Sequence, residues 1–94
     1  MYAIVFDLDV NMLEQTYPNP SWRNAYRDVG DLLIRRGFER QQGSTYFGGE
    51  NTTAVDCVLV VQELSRTYPW FSPSVTDIRM LRIEENNDLS PALT

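Results

Sequence analysis

Ninety-four residues with 43% hydrophobic content make one small domain, residues 1–94, with a thin core, and rule out a mostly disordered chain. The formal net charge is −5 and histidine is absent, which excludes Ser-His-Asp, Cys-His and His-ligated metal chemistry. All eight basic residues are arginine, so an acidic chain that attracts nucleic acid poorly overall must build any anion site locally from a few of them.

No stretch approaches the ~20 apolar residues of a membrane span. The opening lacks the basic start and small-residue cleavage site of a signal peptide. Cys57 is the lone cysteine and has no internal disulfide partner. Its apolar neighbours predict a buried thiol, and a reducing cytoplasm fits.

In chain order, Met1-Tyr-Ala-Ile-Val-Phe-Asp-Leu-Asp9 predicts a buried strand. Ile4, Phe6 and Leu8 share one face, and Ala3, Val5, Asp7 and Asp9 the other, with Asp7 and Asp9 about 7 Å apart. Two carboxylates there are costly unless solvated or compensated by a metal ion, an arginine or a shared proton. Val10–Tyr17 suits one or two helical turns before Pro18 and Pro20 break regular structure. Asn19-Pro20 reads as an N-cap and first helical residue, with Ser21 competing. Trp22, Ala25, Tyr26, Val29, Leu32 and Leu33 then form a helical stripe. Gly30 is a weak point within that helix and Gly37 ends it.

Phe38–Gln42 and Thr45–Phe47 predict a hairpin around a Gly43-Ser44 turn. Thr53 and Asp56 resemble a capping box for a helix over 54–66. Its wide apolar face comprises Ala54, Val55, Val58, Leu59, Val61 and Leu64. Pro69 ends it, Trp70 and Phe71 fold back onto the core with Trp22 and Tyr26, and Pro73 opens a turn through Thr76. Asp77–Glu84 is the last strand, and 85–94 a loose tail or an arm onto a partner.

Strand, helix, strand, strand, helix, strand is the α+β, ferredoxin-like βαββαβ order: a four-stranded antiparallel sheet with two helices on one face. The other face, with Ala3, Val5 and Leu81 or Ile83, invites a homodimer through the sheets.

Phe6-Asp7-Leu8-Asp9 looks like the nucleophile motif of haloacid-dehalogenase phosphatases. However, Val10-Asn11 replaces the small-residue turn and threonine, the required lysine is missing, and the chain is too short. Thr45-Tyr46-Phe47-Gly48 does not match the stacking motif of RNA-recognition modules. The ordered set Met1–Asp9, Gly37-Phe38, Gln42–Tyr46, Trp70-Phe71 and Val75–Arg79 resembles the virulence-associated protein D, VapD, family over nearly the whole chain. That resemblance implies a ferredoxin-like homodimer related to small CRISPR-associated nucleases. It further implies a bacterial ribonuclease, in some settings the toxin of a toxin–antitoxin pair with a small antitoxin protein. Asp7 matches the expected catalytic position, and Ser44 and Asp77, which lie in family-like motifs, are further candidate catalytic residues.

Without histidine, RNA cleavage has two routes. Asp7 from both subunits, with Asp9 as a further ligand, holds a divalent cation such as Mg²⁺ at the dimer interface. Alternatively, a carboxylate deprotonates the ribose 2′-hydroxyl. Ser44, Arg40, Arg79 and Tyr46 are the candidate RNA contacts. Each also has an ordinary structural role: a Gly-Ser turn for Ser44, ion pairs for Arg40 and Arg79, packing for Tyr46, and a strand cap or Arg79 pairing for Asp77. A non-catalytic protein-interaction module is the alternative reading.

Overall fold

Side-chain alternation along β1 (Tyr2–Leu8) sends Ile4, Phe6 and Leu8 to one side, where all three are buried. The computed structural model describes residues 1–93. The strand stops at Leu8, one residue short of expectation. Asp9 caps α1 (Val10–Thr16), its carboxylate accepting the Asn11 N–H at 2.9 Å. An aspartate before a helix-forming run satisfies an orphan donor at low cost.

Asn19-Pro20 does not begin the long helix. The Asn19 side chain accepts the Ser21 N–H at 2.8 Å, a local bond that competes with helix. Trp22–Asn24 make a 3-10 turn, and α2 runs from Ala25 to Arg35. Its buried stripe is Ala25, Val29, Leu32 and Leu33, joined by Gly30. Trp22 and Tyr26 lie at its margin instead of in the core. Trp22 is half-buried and Tyr26 is 38% exposed, its hydroxyl accepting the Leu8 N–H at 3.0 Å. Gly37, at φ +91°, ends the helix as expected.

Strands β2 (Phe38–Gln42) and β3 (Thr45–Gly48) flank the Gly43-Ser44 turn, where Gly43 has φ +51°. Thr53 caps α3 (Ala54–Thr67) with the expected reciprocal box. The Asp56 N–H donates to Thr53 Oγ1 at 3.1 Å, and the Thr53 N–H to Asp56 Oδ2 at 2.9 Å. The buried face of α3 is narrower than its sequence suggests. Cys57, Val60 and Leu64 are buried, whereas Val55, Val58 and Leu59 are exposed. Burial pushes the Cys57 thiol pKa up.

The stretch read as a turn after Pro73 is already ordered. Phe71–Ser74 form a short helix, α4, and β4 spans Val75–Arg82, two residues earlier than expected at both ends. Ser74, fully buried, explains the shift: its carbonyl accepts the Asp9 N–H at 2.7 Å, and its hydroxyl lies 3.3 Å from Thr16 Oγ1. That anchor fixes where the chain enters the sheet. Residues 83–89 carry no regular secondary structure and Ser90–Ala92 make a 3-10 turn.

The sheet is antiparallel throughout, in the order β2-β3-β1-β4, compatible with the ferredoxin-like arrangement. Helices α2 and α3 cover the face of Ile4, Phe6 and Leu8. Phe6 is central to this core, its ring centroid 5.8 Å from Tyr26, 6.2 Å from Tyr46 and 6.5 Å from Phe71. The opposite face carries Ala3 between its register partners Phe47 and Leu81, then Val5 between Thr45 and Arg79, then Asp7. Among the described residues, no helix is long and apolar enough to cross a membrane.

Candidate active site

Antiparallel register pairs Asp7 with Asp77 across β1 and β4. Paired positions point to the same face, so the two carboxylates flank one another on the helix-free side. Immediately beyond this pair the ladder breaks: Leu8 pairs with Val75, leaving Thr76 as an extra residue. Such bulges re-aim side chains and end pairing. Here the Thr76 hydroxyl donates to the Asp7 carbonyl at 3.2 Å.

The two acids differ in their company. Arg79 Nε donates to both oxygens of Asp77, at 3.0 and 3.2 Å. No described hydrogen bond or ion pair reaches the Asp7 carboxylate. The sheet end therefore presents a free carboxylate beside a carboxylate-held guanidinium. A free carboxylate accepts hydrogen bonds, and unused N–H groups of an arginine can donate to phosphate oxygens.

Asp9 lies outside β1, its carboxylate engaged on the α1 cap. Among the described residues, no group of three or more Asp, Glu, Cys or His side chains is placed to hold a metal ion. Mg²⁺ at a phosphate site commonly takes only one or two carboxylates and completes its shell with water; of the two here, Asp77 is already engaged by Arg79.

Ser44, Arg40 and Tyr46 lie on the other side of the sheet. The Phe6 N–H donates to the Ser44 carbonyl at 3.3 Å, setting the hairpin tip against β1 one residue before Asp7. There a cavity of about 650 Å³ opens between α2 and the β2–β3 hairpin. Arg23, Arg27, Asp31 and Ile34 line its helix side, and Arg40, Gly43 and Ser44 its hairpin side. Gly30 and Tyr46 complete the lining. The Tyr46 ring is buried against Phe6, so it offers no face for base stacking.

The predicted residues thus form two groups at one end of the sheet. Asp7, Asp77 and Arg79 share the bare face; Ser44, Arg40 and Tyr46 border the cavity. Sequence reasoning missed Arg23 and Arg27 as cavity residues. Their i, i+4 spacing, continued by Asp31, was the available signal for one helix edge.

No protein-family model matches the chain. Curated proteins do. The chain is 58% identical to "Endoribonuclease VapD 2" of Riemerella anatipestifer over 94 residues, covering 100% of both chains. It is 50% identical to "Endoribonuclease VapD homolog" of Helicobacter pylori over 93 residues, 99% of this chain and 96% of that one. It is 41% identical to "Endoribonuclease VapD homolog" of Neisseria gonorrhoeae over 90 residues, 96% of this chain and 95% of that one.

Proposed function

The chain belongs to the VapD family of endoribonucleases, and from that premise we propose that it cleaves RNA with Asp7 as its general base. The observation that carries this reading is the free Asp7 carboxylate next to the Asp77–Arg79 pair at the end of a central strand. In the proposed reaction, Asp7 takes the proton of a ribose 2′-hydroxyl. The 2′-oxygen bonds to the adjacent phosphorus, the bond from phosphorus to the 5′-oxygen breaks, and that oxygen takes a proton from water. The products are a 2′,3′-cyclic phosphate and a 5′-hydroxyl.

Arg79 supports charge on the phosphate oxygens, and Asp77 positions Arg79. Ser44, Arg40 and the Tyr46 hydroxyl contact RNA on the other side of the strand. We also propose a homodimer through the bare sheet face, on which Leu81 is 46% exposed. A second Asp7–Asp77 pair would then lie near the first. A toxin role with a small antitoxin partner is consistent with exposed Val55, Val58 and Leu59 on α3, which offer apolar surface to a protein.

The test is incubation of the purified protein with single-stranded RNA, with Mg²⁺ and with EDTA, followed by analysis of the product ends. Cleavage in both, leaving cyclic phosphate, is the expected result. Absence of cleavage in both conditions defeats the nuclease reading. Cleavage abolished by EDTA, with 5′-phosphate ends, replaces the metal-free route with the cation route.

A further inference from the structure

The cavity beside α2 has a composition that the rest of the molecule lacks. Arg23, Arg27 and Arg40 line it against a single acid, Asp31, in a chain of net charge −5. None of the three arginines has a carboxylate within 4.0 Å among the described residues, whereas Arg36 and Arg79 are both paired. Arg40 is oriented from behind: its Nε donates to the Gly43 carbonyl at 2.9 Å, leaving its terminal nitrogens uncommitted.

Tyr46 adds an independent observation. The residue is 3% exposed, yet its hydroxyl has no hydrogen-bond partner among the described residues and is not sealed from the cavity. A buried side chain that keeps an unpaired hydroxyl at a cavity wall is set to donate to something that enters. Burial raises the Tyr46 pKa, so the hydroxyl keeps its proton. Several cationic donors and one neutral donor around an open hollow form a receptor for a phosphate anion.

We infer that this cavity binds a backbone phosphate of single-stranded RNA, flanking the phosphate cut at Asp7, with Arg23 and Arg27 as the principal contacts. The inference rests on the ribonuclease reading above and adds the path of the strand. RNA crosses the end of the sheet from the Asp7 face, past the hairpin tip at Ser44, to the helix side. Phosphate contacts of this kind position a strand without reading its bases.

The test is fluorescence anisotropy of a labelled single-stranded 2′-O-methyl oligoribonucleotide, which has no 2′-hydroxyl proton to lose, titrated with full-length protein in EDTA across a salt series. The double variant Arg23→Gln, Arg27→Gln is expected to bind roughly tenfold more weakly, with a salt slope shallower by about 0.7 for the one phosphate released. Asp31→Asn is expected to bind more tightly than wild type, a gain that misfolding does not produce. Arg35→Gln, Arg82→Gln, with the same change in charge outside the cavity, is expected to stay near wild type. Equal binding by wild type and the Arg23, Arg27 variant overturns the inference, as does an equal loss in the Arg35, Arg82 variant or no binding by wild type. A wild-type protein that binds through Arg23 and Arg27 but cuts no RNA defeats the nuclease reading alone. Cleavage by wild type with unaltered binding by the Arg23, Arg27 variant defeats the cavity alone.

Discussion

Asp7→Asn is expected to slow RNA cleavage by about 10²–10⁴-fold, the usual contribution of a positioned general base, while the protein stays folded. Asparagine nearly matches aspartate in shape but has no basic oxygen at neutral pH. Nothing in the fold depends on the lost charge, because the Asp7 carboxylate has no described hydrogen-bond or ion-pair partner. Its register partner is another acid, Asp77, and like charges directly across a ladder repel. Thermal stability is therefore expected to hold or rise slightly as activity collapses. Single-turnover cleavage and a melting curve on the same preparation check both halves. Wild-type cleavage by a folded Asp7→Asn protein removes Asp7 from the chemistry. A loss of activity that tracks a fall in melting temperature assigns it a structural role.

Gly30→Ala is expected to destabilise the fold by about 1–3 kcal/mol, the usual cost of overpacking, although alanine favours helix over glycine by about 1 kcal/mol in an exposed position. A Cβ at residue 30 would sit 2.2 Å from the Tyr46 hydroxyl oxygen and 3.2 Å from Cζ. The ring has little room to retreat, because it is buried and lies against Phe6. Removing the hydroxyl removes the shorter contact. Tyr46→Phe is thus expected to recover part of the loss in the Gly30→Ala background, with a coupling energy above about 0.5 kcal/mol. Urea unfolding of the four proteins in the cycle measures it. Strict additivity of the two substitutions is the outcome that sinks this account.

Gly30 shows why parts of the structure were legible in the sequence and parts were not. Local signals carried far. Gly37 and Gly43 stand where the backbone requires positive φ, and the Thr53–Asp56 box begins α3 where its spacing says. Strand and helix order followed from periodicity, and the bare sheet face from alternation along β1. Tertiary contacts were not legible. Nothing near Gly30 in sequence reveals that Tyr46 occupies the space of its missing side chain. Nothing around Pro73 reveals that Ser74 is buried against Asp9 and Thr16, which draws the start of β4 forward to Val75.

The candidate site divides along the same line. Asp7 stood out because a carboxylate at the end of an apolar strand is costly to leave unexplained. Its pairing with Asp77 required the register of two strands separated by most of the chain. In the sequence, Arg23 and Arg27 are simply charged positions off the apolar stripe of Ala25, Val29, Leu32 and Leu33. Only the position of the hairpin turns them into a cavity wall.

The guanidinium of Arg23 lies 4.5 Å from the centroid of the Trp22 ring. The other tryptophan, Trp70, is buried among aromatic side chains. The molecule therefore carries one indole shielded from collisional quenchers and one open to them, the open one in contact with a cavity arginine. Adding oligonucleotide is expected to change the emission and the acrylamide quenching of Trp22 alone, and Trp22→Phe to abolish that change, giving a label-free optical readout of occupancy.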